Sequence, residues 1–272
     1  MGSLSDYAEL ELLDHSLGTA YTAASTIYLA LCTADPTDAA TGASMNEAAN
    51  SGSYARTAIT FGAAASRRVT QNATVTFPAA TGSWGTITHW AIVDSNTYGA
   101  GNVLAHGSFG SSKSVVSGNT PSVASSEVYV EITASGGASN YLANNLLDLM
   151  FRNQTFTAPS NYIGLTTATV SDSNTGASIT EVSGGSYARV QVNANGGSSP
   201  TWDLAASGTA DNTHTITFTT STASWGTVTS AVICDASTNG NLLWYDNGVT
   251  DQAVGSGDTV EYAAGAFDIS LS

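Results

Sequence analysis

Basic side chains are scarce in this chain. Only six occur, Arg56, Arg67, Arg68, Lys113, Arg152 and Arg189, against 21 acidic residues, for a net charge of −15. Binding along a phosphate backbone needs clustered Lys and Arg, and the one adjacent pair is Arg67-Arg68. Nucleic acid is therefore not an expected partner, and an anionic membrane surface is disfavoured for the same reason. No apolar run approaches the length of a membrane span. The start, Met1-Gly2-Ser3-Leu4-Ser5-Asp6, has neither the basic nor the apolar region of a secretory signal. The expectation is a protein made in a cytosol and kept there or released by lysis.

Cysteine is nearly absent as well. Cys32 and Cys234 each lie in an apolar run and read as buried free thiols; two thiols cannot make a Cys₄ or Cys₃His zinc site. Charged residues are 10% of the chain, too few for a coiled coil or a charged disordered tail. The histidines are His15, His89, His106 and His214, and no His-Asp-Ser set is duplicated, so an acyl-transfer triad is not expected. Gly107-Ser108-Phe109-Gly110-Ser111-Ser112-Lys113-Ser114 is superficially like a phosphate loop, but Ser112 stands where a glycine must precede the lysine. Asp172-Ser173-Asn174-Thr175-Gly176 begins like a calcium loop and lacks the carboxylate at the twelfth position, Ser183. Asx-turns account for it and for Asp94-Ser95-Asn96 and Asp235-Ala236-Ser237. No catalytic residue, cofactor or metal is expected.

What the chain does have is repetition. Gly52-Ser53-Tyr54-Ala55-Arg56 returns as Gly185-Ser186-Tyr187-Ala188-Arg189; Ser83-Trp84-Gly85-Thr86 returns as Ser224-Trp225-Gly226-Thr227; Leu12-Leu13-Asp14 returns as Leu146-Leu147-Asp148. Matched strings in one order mean an internal duplication. The expected domains are residues 1–134 and 135–272, with an insertion in the second copy near 193–212 and a linker at Ala134-Ser135-Gly136-Gly137-Ala138.

Thr, Ser, Ala and Gly abound, and short apolar runs are punctuated by glycine, which suits an all-β protein. Each copy opens with a helix. Ser5 and Ser139 are N-cap candidates, followed by the stripes Tyr7, Leu10, Leu13, Leu17 and Tyr141, Leu142, Leu146, Leu149, Met150. Strands follow, the most apolar being Ile87–Val93 and Val228–Ile233, expected at the centre, and each copy closes on Val128–Ile132 or Phe267–Leu271. The fold class predicted is mainly β: two tandem β-sandwich domains, each with one leading α-helix.

The matched residues are the candidate sites. Arg56 and Arg189 are lone cations on strands, suited to bridging carboxylates or backbone carbonyls at the edge of the core. Tyr54 and Tyr187 are expected to pack on the sheet with the hydroxyl bonded; Trp84 and Trp225 begin the central strand beside a glycine. Ligand contact is the competing role for these six. Trp202, in the Asn-, Gly- and Ser-rich insertion, is read either as part of a tolerated surface loop or as a contact arm, because an indole is costly to leave in water.

The order Leu-Leu-Asp helix, Tyr-x-x-Leu, Gly-Gly-Ser-Tyr-Ala-Arg, Ala-Ser-Trp-Gly-Thr-Val and Asp-Ala-Ser-Thr-x-Gly-Asn-Leu-Leu-Trp resembles a family of small tailed-bacteriophage virion proteins, tail-fibre-like or capsid-decorating. Copy two matches most fully, at Gly184 to Arg189 and Ala223 to Trp244; copy one departs at Asn50-Ser51 and at Asn96 to Gly101. The resemblance implies a non-enzymatic structural protein. The reading put first is a capsid decoration protein that cements contacts between capsomers of the major capsid protein. It is expected on the capsid surface as a homotrimer, whose six domains suit a quasi-sixfold lattice. The alternative is a tail fibre or tail-tip protein in host recognition, with exposed aromatics such as Trp202 and Trp90 stacking on sugars.

Overall fold

The computed structural model describes residues 2–133 and 137–271; most of the expected linker, 134–136, lies outside the described residues. The first repeat runs β1 (Gly2–Leu4), α1 (Asp6–Ser16), β2 (Ile27–Cys32), β3 (Thr57–Ile59), β4 (Arg68–Thr70), β5 (Val75–Thr76), β6 (Gly85–Val93), β7 (Val103–Val115), β8 (Ser122–Val123) and β9 (Tyr129–Glu131). The second runs α2 (Asn140–Arg152), β10 (Asn161–Thr166), β11 (Val190–Val192), β12 (Thr209–Asp211), β13 (Ile216–Thr217), β14 (Gly226–Val228), β15 (Ser230–Cys234), β16 (Leu242–Asp246), β17 (Gln252–Val254), β18 (Glu261–Tyr262) and β19 (Asp268–Ser270). The mainly β class, the tandem repeat and the leading helices are as the sequence predicts.

The helices begin at their predicted caps. Ser5 Oγ accepts from the Ala8 N–H at 3.2 Å, and Ser139 Oγ from the Leu142 N–H at 3.1 Å. Each hydroxyl also donates to the sheet, Ser5 to the Val103 carbonyl and Ser139 to the Leu242 carbonyl. One side chain thus satisfies a helix terminus and fixes it against the first residue of β7 or β16. In repeat 1 seven strands form one sheet, β3-β2-β6-β7-β1-β9-β4. The apolar run predicted to be central is β6, between β2 and β7. Its neighbour β2 is apolar at almost every position because both faces are covered. Leu29 and Leu31 face the main core, while Ala30 and Cys32 face a smaller cluster with Met45. Repeat 2 keeps β11-β10-β15-β16 as a sheet, with β12·β19, β13·β18 and β14·β17 as separate pairs.

Besides resting on its own sheet, each helix packs on the other repeat, α1 on β12 and α2 on β4. The aspartate of each Leu-Leu-Asp string is the latch. Asp14 Oδ1 accepts from the Ala205 N–H at 2.7 Å, and Asp148 Oδ1 from the Ala64 N–H at 2.8 Å. Leu12, Leu13, Leu146 and Leu147 are wholly buried in one apolar cluster drawn from both repeats. Buried His15 accepts from the Tyr21 N–H at Nδ1, 3.0 Å, which leaves Nε2 to donate to the Phe156 carbonyl of the other repeat at 2.9 Å. Burial pushes its pKa down, so the seam holds a neutral imidazole. Arg67 closes the seam from repeat 1, donating through its guanidinium to the carbonyls of Ile132, Thr133 and Ala138.

The insertion is smaller than the sequence suggests. β3 and β11 match at an offset of 133, whereas the bridges Phe61↔Gln71 and Trp202↔Asn212 match at 141. The difference of eight residues is 194–201, looped out between Asn193, the counterpart of Thr60, and Trp202, the counterpart of Phe61. The contact-arm reading of Trp202 is therefore corrected: the indole is 0% exposed, packed in the core against Phe267 at a centroid distance of 6.0 Å. Its place in a polar stretch hid that it resumes a core position after the loop. Trp90, in β6, is buried likewise, at 1% exposure, and neither indole is available to a sugar.

One side chain of α1 makes stability depend on pH. Glu9 is half-buried; burial first, then the charges of Asp38 and Asp6, push its carboxyl up to about 7 from 4.5. The folded state therefore binds this proton more tightly than the unfolded one. The contribution to stability is full below the ordinary value and is lost as pH rises through about 7. Glu9 therefore contributes a fall in Tm between about pH 5 and about pH 8, and the Tm of Glu9→Gln relative to the parent chain should rise over that range. An unchanged slope in the variant would contradict this assignment.

Candidate functional site

Two of the matched strings, Gly-Ser-Tyr-Ala-Arg and Ser-Trp-Gly-Thr, converge on one construction, built twice. Tyr54, Arg56 and Trp84 come together in repeat 1, and Tyr187, Arg189 and Trp225 in repeat 2. Arg56 Nε donates to Glu47 Oε1 and Nη2 to Glu47 Oε2, both at 2.8 Å. Its Nη1 donates to the Ser95 and Ala100 carbonyls at 2.8 Å, and Nη2 also to the Gly42 carbonyl at 3.0 Å. All five guanidinium N–H groups are used. Arg189 repeats the set: Glu181 Oε1 at 2.8 Å and Oε2 at 2.7 Å, the carbonyls of Ala236 and Asn239 at 2.7 and 2.8 Å, and that of Gly176 at 3.0 Å.

The tyrosine completes the bracket. Tyr54 Oη donates to Glu47 Oε1 at 2.8 Å and accepts from the Leu31 N–H at 3.1 Å; Tyr187 does the same with Glu181 and Leu165, at 2.8 Å each. Burial, then the neighbouring carboxylate, pushes both phenol pKa values up, which keeps the donating proton in place. The indoles meet the tyrosines edge-on, at 5.2 Å for Trp84 and 5.3 Å for Trp225, and donate to the Gly52 and Gly185 carbonyls. Strand, turn and two loops are thereby joined around one carboxylate.

Glu47 and Glu181 are the residues that sequence reasoning missed. Their signal was present, since they match at an offset of 134 and each precedes its tyrosine by six or seven positions. Asp94 and Asp235 are explained by their turns, each carboxylate accepting from the backbone N–H and side-chain amide of Asn102 or Asn241 at 2.6–2.8 Å. The loop that receives the guanidinium also requires glycine. A Cβ on Gly42 would stand 2.0 Å from the Ala100 carbonyl oxygen, and one on Gly176 1.9 Å from that of Asn239. Gly42→Ala and Gly176→Ala are each expected to cost about 3 kcal/mol by overpacking, read as a shift of the urea midpoint at constant slope. A change within about 0.5 kcal/mol at either site would show that the loop yields freely.

His106 and the two cysteines are accounted for by their surroundings. His106 gathers Asp38 at 2.8 Å and Ser3 at 3.4 Å on Nε2, with Asp35 at 3.3 Å on Nδ1. The nitrogen that would have to take the serine proton already faces a carboxylate, so the grouping is not arranged for acyl transfer. Burial pushes the thiol of Cys32 up, and that of Cys234 to about 12, which keeps both protonated. No helix among the described residues is long and apolar enough to cross a membrane.

Tyr54, Arg56 and Trp84 are no more than 6% exposed, and their partners lie within the same repeat. The repeated residues define a structural module, a bracket that fixes loops to a sheet. The chain belongs to the family described as podophage GP4 fiber I protein gp80, which matches it twice, over residues 3–131 and 137–270. It is a phage structural protein carrying two tandem copies of that unit. Among curated proteins, none matches the chain.

Proposed function

We propose that the chain is a fibre component of a podophage tail, positioned to meet the host surface, and that it acts by binding and assembly. The observation that carries this reading is the match of both repeats to a family described by its fibre. The buried brackets support it, because they stiffen each repeat and leave the surface to assembly. The same description weighs against the capsid-cement reading that the acidic, duplicated chain first suggested. Other virion proteins are its partners in this proposal, and a homotrimer remains the expected assembly. Gold-labelled antibody against the chain, imaged on intact virions, tests the placement: label at the tail is expected, and label spread over the capsid faces would restore the cement reading.

A further inference from the structure

A cleft of 560 Å³ opens in repeat 1 between the far half of β7 and the segment Pro121–Glu127. Its floor is apolar, formed by Leu31, Phe77, Ile87 and Val123. Half-buried Phe109 stands at its side, and the rim carries Ser111, Ser112 and Lys113, with Glu127 also lining it. This is the stretch that resembled a phosphate loop.

The backbone presents these residues to the cleft. β7 pairs with β6 at His89↔Ser108 and again at Ile87↔Lys113, so Phe109–Ser112 bulge from the ladder. The rim groups also lack internal partners. Every arginine donates to a carboxylate or a carbonyl. Among the described residues, the Lys113 ammonium and the Glu127 carboxylate form no ion pair or side-chain hydrogen bond. Repeat 2 differs here in one informative way. Val123 pairs with Val75, whereas its counterpart Tyr262 pairs with Ile216 and packs its ring on Phe267 at 5.1 Å. The first repeat has a small side chain where the second has an aromatic ring.

A cleft with an apolar floor, one aromatic wall, one cation, one carboxylate and free hydroxyls suits a ligand of mixed chemistry. A bare phosphate fits poorly, because a single lysine faces it and Glu127 repels it. We infer that this cleft is a subsite for an N-acetylhexosamine. The acetamide methyl enters the apolar floor, its carbonyl accepts from Lys113, its N–H or a ring hydroxyl donates to Glu127, and a sugar face lies on Phe109. The inference rests on the fibre reading for why the chain should meet a sugar, while the chemistry is that of the cleft itself.

The test is a titration of the ¹⁵N-labelled full chain with N-acetylglucosamine, followed by amide shifts. Saturable shifts at Gly110–Lys113 and Val123 are expected, with a dissociation constant on the order of 1 mM for one sugar ring. Glucose, which lacks the acetamide, should bind about tenfold more weakly. Val123→Tyr should abolish the shifts. Lys113→Ala, an exposed change that leaves the core intact, should weaken binding about tenfold. Absent shifts, equal binding of glucose, persistence in Val123→Tyr, or displacement by inorganic phosphate would each overturn the subsite. Tail label on virions with no sugar binding would sink the subsite and leave the fibre reading standing; sugar binding with label on the capsid would do the reverse.

Discussion

Arg56→Met is expected to cost about 3–5 kcal/mol. The change leaves Glu47, whose side chain is 4% exposed, as a buried carboxylate without its counter-ion, bonded still by the Tyr54 hydroxyl. It also strips the Gly42, Ser95 and Ala100 carbonyls of their donor. The second repeat supplies an internal comparison. Glu181 is 21% exposed, so water can reach its carboxylate once the guanidinium is gone. Arg189→Met should therefore cost less, about 2–3 kcal/mol. Lys at either position keeps the charge but offers three donors in place of five in a planar fork, and should recover only part of the loss. Urea midpoints give all of these values. A cost below about 1 kcal/mol for Arg56→Met would show that the bracket is not what holds the loops.

Leu147→Ala is the second large effect, at about 2–5 kcal/mol. Leu147 is wholly buried at the seam, in the cluster that joins the repeats, so the cavity it leaves cannot be relieved by movement into solvent. Although the residue lies in the helix that leads repeat 2, that helix packs on β4 of repeat 1. Loss of protection is therefore expected in both repeats. Hydrogen exchange in the variant should accelerate at Val69 of β4 as well as at Leu165 of β10, since both report opening of the shared core. Acceleration confined to repeat 2 would mean that α2 contributes nothing across the seam.

Much of this was legible in the residues. The paired strings fixed the duplication, Ser5 and Ser139 fixed the helix starts, and the apolar run of repeat 1 fixed its central strand, because each signal is local; the run of repeat 2 is divided, with Val228 ending β14 and β15 beginning at Ser230. Arg56 and Arg189 were readable as scaffold because a lone guanidinium on a strand of a chain so poor in cations needs acceptors nearby. What failed was what depends on the return of the chain. Glu47 reaches Arg56 from nine positions upstream, and Asp14 reaches Ala205 from the other repeat, so neither leaves a periodic trace. Trp202 was misplaced because its surroundings in sequence are polar, whereas its position in space is that of Phe61.

The claim on which the account turns is that the two repeats, matched separately by one family, are fused into a single body by helices that each pack on both repeats. Scanning calorimetry of the intact chain tests it most directly. One transition, with a calorimetric enthalpy equal to the van't Hoff enthalpy, is predicted. Two resolved transitions, each with about half the total enthalpy, would contradict it.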